Sequence, residues 1–142
     1  VVKNAAGFDV PKFFVGAAGR FGVMAELTFK VFPRPVAQRT LRVDAPDPAA
    51  QVRMLQEAAG TRWEIDALEA PAEESALWIR LGGPVAALDA LAAEIAARWP
   101  ARTLAEAEAA EFWSGLAEFR WAHAGGPLVK LAVSPGRLDA VR

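Results

Sequence analysis

The chain of 142 residues contains no cysteine and a single histidine, His123. Without cysteine it can form no disulfide, carry out no thiol catalysis and bind no iron–sulfur cluster through its own thiolates. One histidine leaves no His-rich ligand set, so no metal site is expected. Long hydrophobic runs are missing too. Charges or prolines break every apolar stretch well short of the roughly 20 residues a spanning helix requires, and no signal-peptide pattern is present. An excess of one charge is also lacking. Sixteen Lys and Arg stand against 17 Asp and Glu, for a net charge of −1. That balance gives no electrostatic reason to expect nucleic acid or an anionic membrane as a partner. There is no Walker loop, zinc motif, nucleophile–base pair or readable pair of acid–base carboxylates. A cytoplasmic location is the default expectation. What is present is a globular composition, 54% hydrophobic and 23% charged, in one domain's worth of chain.

The first 35 residues are the densest in signal. Gly16, Gly19 and Gly22 follow the apolar run Phe13-Phe14-Val15. Such glycines make a tight turn, or let a flat or charged ligand approach the backbone closely. Spacing alone leaves both readings open. Val23 to Phe32 then alternates, with Val23, Ala25, Leu27, Phe29 and Val31 on one face. That predicts a strand with one dry side, ended by Pro33-Arg34-Pro35.

These residues carry a resemblance. KNAAGFDVPKF resembles the K-N-x-A-G-Y-D segment of FAD-linked oxidases of the vanillyl-alcohol-oxidase type. GAAGRFGVMAELTFKVFPRP resembles their G-S-x-G-T-L-G-(V/I)-I-T-E-x-T-L-K-V-x-P-R-P segment. Within that superfamily the wording is most similar to the FAD-binding E-type subunits of bacterial glycolate oxidase. Three hydroxyls of the pattern are lost: the family's tyrosine is Phe8, and Ser and Thr are replaced by Ala17 and Arg20. Backbone contacts survive such changes and side-chain hydroxyl contacts do not. The resemblance implies that Asn4, Gly7, Gly19, Gly22 and Val23 lie against FAD. It implies a parent enzyme that passes hydride from a small 2-hydroxy acid to flavin N5. It further implies partner oxidase subunits, one of them an iron–sulfur protein, and a position at the inner-membrane face through those partners. No catalytic residue is assigned.

After Pro35 strands and helices alternate. Arg39–Ala45 and Leu77–Leu81 alternate as strands, as does Arg62–Leu68 with Trp63 and Ile65 inward. Asp47-Pro48 starts a helix that runs to about Ala59, with Gly60 as its stop. Gly82-Gly83-Pro84 opens a second helix, with Val85, Leu88, Leu91, Ile95 and Trp99 along one stripe. Thr103 and Glu106 read as a capping box for a third, carrying Phe112, Leu116 and Phe119. Leu128–Val133 reads as the last strand. The order β-α-β-β-α-(α)-β predicts an α+β, ferredoxin-like split βαβ domain: an antiparallel sheet with helices on one face. Residues 1–38 are then the C-terminal edge of an FAD-binding domain, and residues 39–142 a cap (substrate) domain. The chain starts without methionine and stops just after Ser134-Pro135, itself a helix-start pair. We therefore expect a fragment of a larger flavoprotein, C-terminally truncated in the cap. Such a fragment is expected to be inactive alone and to self-associate through its apolar strand.

Arg42 and Arg80 fall at equal parity on two predicted strands, beside Trp78. On neighbouring strands they would share the open sheet face, where arginine suits a substrate carboxylate. The alternative is two solvated arginines. His123, before a glycine loop, reads as a surface residue rather than a base. Trp63, Trp99, Trp113 and Trp121 read as core or interface anchors. The competing function is a stand-alone ferredoxin-like module binding RNA or a small ligand without catalysis. Acidic pI and the lack of an aromatic RNA-binding strand argue against RNA, so no nucleic-acid partner is expected.

Overall fold

A computed structural model describes residues 9–134 and Arg137. The chain divides into two compact units, one up to Pro33 and the other from Arg34 onward. The second is an α+β unit built on a four-stranded antiparallel sheet. Its elements are β1 (Ala37–Asp44), α1 (Pro48–Gly60), β2 (Ala67–Glu69), β3 (Ala76–Gly83), α2 (Val85–Arg98), β4 (Ala101–Thr103) and α3 (Glu106–Ala117). The strand order is β2-β3-β1-β4. β1 and β3 form the long central pair, with Thr40 opposite Arg80 and Arg42 opposite Trp78. β4 joins the other edge of β1, with Arg102 opposite Arg42.

Period-two alternation gives the sheet two unlike faces. Leu41, Val43, Leu77, Ile79 and Leu81 point to the first, where they are fully buried. α1 covers it with Ala50, Met54 and Ala58, and α2 with Leu88 and Ile95. Asp47 caps α1, its carboxylate accepting from the Ala50 N–H at 2.6 Å. Trp63 and Trp99 meet edge-to-face at 5.2 Å, and the Trp63 indole N–H donates to Glu94 at 2.8 Å. Gln51 is the one fully buried long polar side chain on α1. Its amide donates toward the carbonyls of Pro71, Glu74 and Ala76 at 3.1, 3.0 and 2.7 Å. It thereby ties α1 to the segment that leads into β3.

Several expectations change. The alternating segment from Val23 to Phe32 forms no strand, and neither does Leu128–Val133. Leu27, Phe29, Val31, Leu128, Val129 and Leu131 are all more than half exposed. Alternation supplies two faces, but a strand exists only through the ladder it shares with a neighbour. The fourth strand is instead β4, so the extra helix follows the last strand rather than preceding it. Thr103 belongs to that strand and caps nothing; Ala105 occupies the N-cap of α3 without a side-chain bond. Phe119 lies beyond α3, at φ 56°. The strand expected over Arg62–Leu68 shortens to β2, although Trp63 and Ile65 still face the core. Helices do not keep to one face: α3 lies against the second face through Phe112 and Trp113. Among the described residues no helix is long and apolar enough to cross a membrane.

Candidate functional site

In the unit that ends at Pro33, a five-residue helix, Val10–Phe14, is capped by Asp9, which accepts from the Lys12 N–H at 3.2 Å. Phe13 packs on Phe21 with ring centroids 4.6 Å apart. This contact folds the glycine stretch back on the helix. Gly19 sits at φ +77° with nothing within 4 Å of where a Cβ would stand, and Gly22 at φ +143° has only the Phe14 ring nearby. Side chains other than glycine rarely adopt either conformation. Both positions therefore leave backbone open to close approach. Val23 is 95% exposed. Asn4 and Gly7 lie outside the described residues.

In the second unit the chemistry gathers on the second sheet face. Thr40 and Arg42 of β1, Trp78 and Arg80 of β3, Glu69 of β2 and Arg102 of β4 share it by register. α3 crosses this face. Phe112 stacks on Trp78 with centroids 3.6 Å apart and rings 5° from parallel. The Trp113 indole N–H donates to the Thr40 hydroxyl at 3.0 Å. Arg102 grips Glu108 with two bonds, at 3.0 and 2.6 Å, which ties β4 to the start of α3.

The two arginines singled out in the sequence do share this face, but their surroundings differ. Arg42 is spoken for. It pairs with Asp44 and with Glu74 at 3.0 Å, and Glu74 also accepts from the Trp78 indole at 2.6 Å. Arg80 instead lies over an aromatic ring, its guanidinium carbon 4.7 Å from the Trp113 centroid. Its Nε is buried and has no hydrogen-bond partner among the described residues. Burial raises the pKa of Glu69, and the positive charge of Arg80 offsets part of that rise. Glu108 moves the other way, held down by its hydrogen bonds to Arg102.

α3 separates two cavities. One, of about 840 Å³, opens between the start of β1 and α3 and is lined by Arg34, Arg39, Thr40, Arg80, Glu106 and Trp113 among others. Arg39 is paired with Asp89 of α2 at 3.6 Å. The other, of about 560 Å³, lies between the β2–β3 connection and the later turns of α3. Glu69, Glu73, Glu74 and Glu111 line it, with Arg120 as the one cation; that arginine is held by Glu111 at 2.5 Å. One cavity is thus basic and its neighbour acidic. His123 is exposed and takes part in neither. Trp121 is also exposed, so it anchors nothing in the core. Sequence reasoning placed Arg42 and Arg80 together but missed Glu69 on the same face and Glu74 beside it. The adjacent aromatics Phe112 and Trp113 were the available sign that α3 covers it.

No family model matches the sequence, and no solved structure gives a significant match. Among curated proteins the chain is 34% identical, over 125 residues, to the glycolate oxidase subunit GlcE of Escherichia coli (strain K12). The match takes in 83% of this chain and 31% of that protein. The chain therefore spans about a third of the length of the curated relative it matches.

Proposed function

Because the chain is related to glycolate oxidase subunit GlcE over most of its own length, we propose that it corresponds to a portion of an FAD-dependent 2-hydroxy acid oxidoreductase. That similarity is the observation carrying the reading. Residues 1–38 are the closing edge of an FAD-binding domain and residues 39–142 the cap. The strand order β2-β3-β1-β4 supports a ferredoxin-like split βαβ plan for the cap.

The residues present fit a flat, pyrophosphate-bearing cofactor at the points the structure describes. Gly19 and Gly22 offer backbone at positive φ with no Cβ in the way, which is what close approach of FAD needs. They would hold it with Val23, and Asn4 and Gly7 would complete the edge. The chemistry FAD supplies when bound is acceptance of hydride at N5 from the α-carbon of the acid. This chain's own part is to bind and orient. Of the two arginines on the second sheet face, Arg80 holds the substrate carboxylate by a charge-assisted bond, since Arg42 is already paired with Asp44 and Glu74. Electrons leave through partner subunits, and with no cysteine here any iron–sulfur cluster belongs to one of them.

The test is a longer protein containing this chain, purified with and without added FAD. A yellow protein whose flavin absorbance bleaches with glycolate is expected. The 142-residue chain alone should take up FAD weakly or not at all, since it carries one edge of the cradle. A colourless longer protein, indifferent to FAD and glycolate, would remove the proposal.

A further inference from the structure

Arg42 and Arg80 share one sheet face, yet only one of them is available. The Arg42 guanidinium already has two carboxylates, Asp44 and Glu74, and a ligand would have to displace both. Arg80 has an aromatic ring on one side and an unbonded Nε. It lines the cavity of about 840 Å³ beside α3. A buried donor without a partner is costly, and the terminal nitrogens of the same guanidinium, which make no ion pair among the described residues, are the ones an anion in the cavity would meet. Among the residues lining that cavity Arg39 is paired with Asp89, which leaves two arginines, Arg34 and Arg80, to one carboxylate, Glu106; the carboxyl that feels the Arg80 charge, Glu69, lines the other cavity. Thr40 adds a hydroxyl, fixed by the Trp113 indole that donates to it. That hydroxyl keeps its own proton for donation.

We infer that this cavity binds a small carboxylate, with Arg80 as its principal donor, Thr40 as the second and Trp113 as the wall. Arg42 is a structural cation and takes no part. The inference rests on the oxidoreductase reading only for which acid enters. Cavity, unbonded donor and charge stand without it. A monocarboxylate fits the donor set better than a neutral polyol, because the guanidinium fork matches two carboxylate oxygens and offers nothing to an uncharged group of the same size.

The experiment uses the 142-residue chain labelled with nitrogen-15. The Trp113 indole and Arg80 Nε signals are followed while glycolate, acetate or neutral glycolamide is added. Glycolate is expected to shift both signals saturably, and glycolamide to leave them in place. Arg80→Met should weaken glycolate binding roughly tenfold to a hundredfold, whereas Arg42→Met should leave it within about twofold. Arg80→Lys guards against a folding defect: it keeps the charge, loses the fork, and should fall between wild type and Arg80→Met. Binding of acetate through Arg80 without binding of glycolate would uphold the carboxylate pocket and count against the 2-hydroxy acid reading. No shift with either acid would overturn the inference, as would glycolate binding that survives Arg80→Met or vanishes in Arg42→Met.

Discussion

Single side chains carry unequal burdens here, and Gln51 carries one of the largest. Its amide serves three carbonyls from within α1. Gln51→Met keeps the length and removes the donors, leaving buried carbonyls without partners. Urea unfolding should show a loss of about 2 kcal/mol, the usual cost of unsatisfied buried polar groups; an unchanged midpoint would show that water replaces the amide. Two glutamates respond to pH with opposite sign. Burial raises Glu69 in the folded state. Its cost is absent below the ordinary carboxylate range and grows as pH rises through the raised value. Glu108, lowered by Arg102, stabilises the fold above that range and loses its contribution as pH falls through the lowered value. Carbon-detected NMR should place the Glu69 titration above an exposed glutamate of the same chain and that of Glu108 below it. Arg102→Met should return Glu108 to the ordinary range and leave Glu69 where it was. Coinciding midpoints in the wild-type chain would refute both assignments.

Among the elements, α3, like α2, begins without a side-chain cap. Ala105 sits at its N-cap with extended backbone and no side-chain bond, whereas Asp47 caps α1. Ala105→Ser should supply the missing acceptor and stabilise the chain by about 0.5–1 kcal/mol. Hydrogen exchange slowing at the N–H groups of residues 107 and 108, with β1 and β3 unchanged, would locate the gain in α3. The helices and the central strands were legible in the sequence because their signals are local: Asp47-Pro48 before an apolar stripe, and Leu41 and Val43 or Leu77 and Ile79 in alternation. β4 was not legible. Three residues, Ala101, Arg102 and Thr103, show no periodicity, and they pair only because β1 presents a free edge. Thr103 and Glu106 match a capping box letter for letter, but the ladder to Leu41 holds that threonine in the strand. Long-range pairing overrode a local signal, as it did in reverse for residues 23–32, where the pattern is strong and no strand among the described residues pairs with it.

At the scale of the molecule, apolar surface is concentrated at the two stretches that alternate without pairing. Val23, Phe29, Val31 and Phe32 are 95, 76, 78 and 91% exposed, and Val129 is 73%. Extended, apolar and unpaired segments invite pairing with another chain. Light scattering should show the 142-residue chain associating at tens of micromolar, and Phe29→Lys with Val31→Lys should reduce that association; a strict monomer before substitution would contradict it. The site was partly legible at this scale. Equal parity put Arg42 and Arg80 on one face, but nothing in the sequence says that Glu74, in the connection before β3, folds back to claim one of them. The partner of an arginine is a tertiary fact.

The helix α3 stands between a basic cavity and an acidic one, and its thickness has a consequence for how they communicate. An α-helix with its side chains is roughly 10 Å across, about the distance over which 0.1 M salt damps a charge. Through solvent, in ordinary buffer, an occupant of one cavity is felt only weakly at the far side of the other, and the coupling that persists runs between the neighbouring charges Arg80 and Glu69. At about 0.01 M salt the damping length grows to roughly 30 Å, and the helix no longer insulates. An anion beside Arg80 then cancels more of the positive charge that holds Glu69 down, so Glu69 binds its proton more tightly, and by reciprocity protonation of Glu69 strengthens the anion by the same factor. Lowering the ionic strength therefore tightens a link between the two cavities that Arg80 and Glu69 already make.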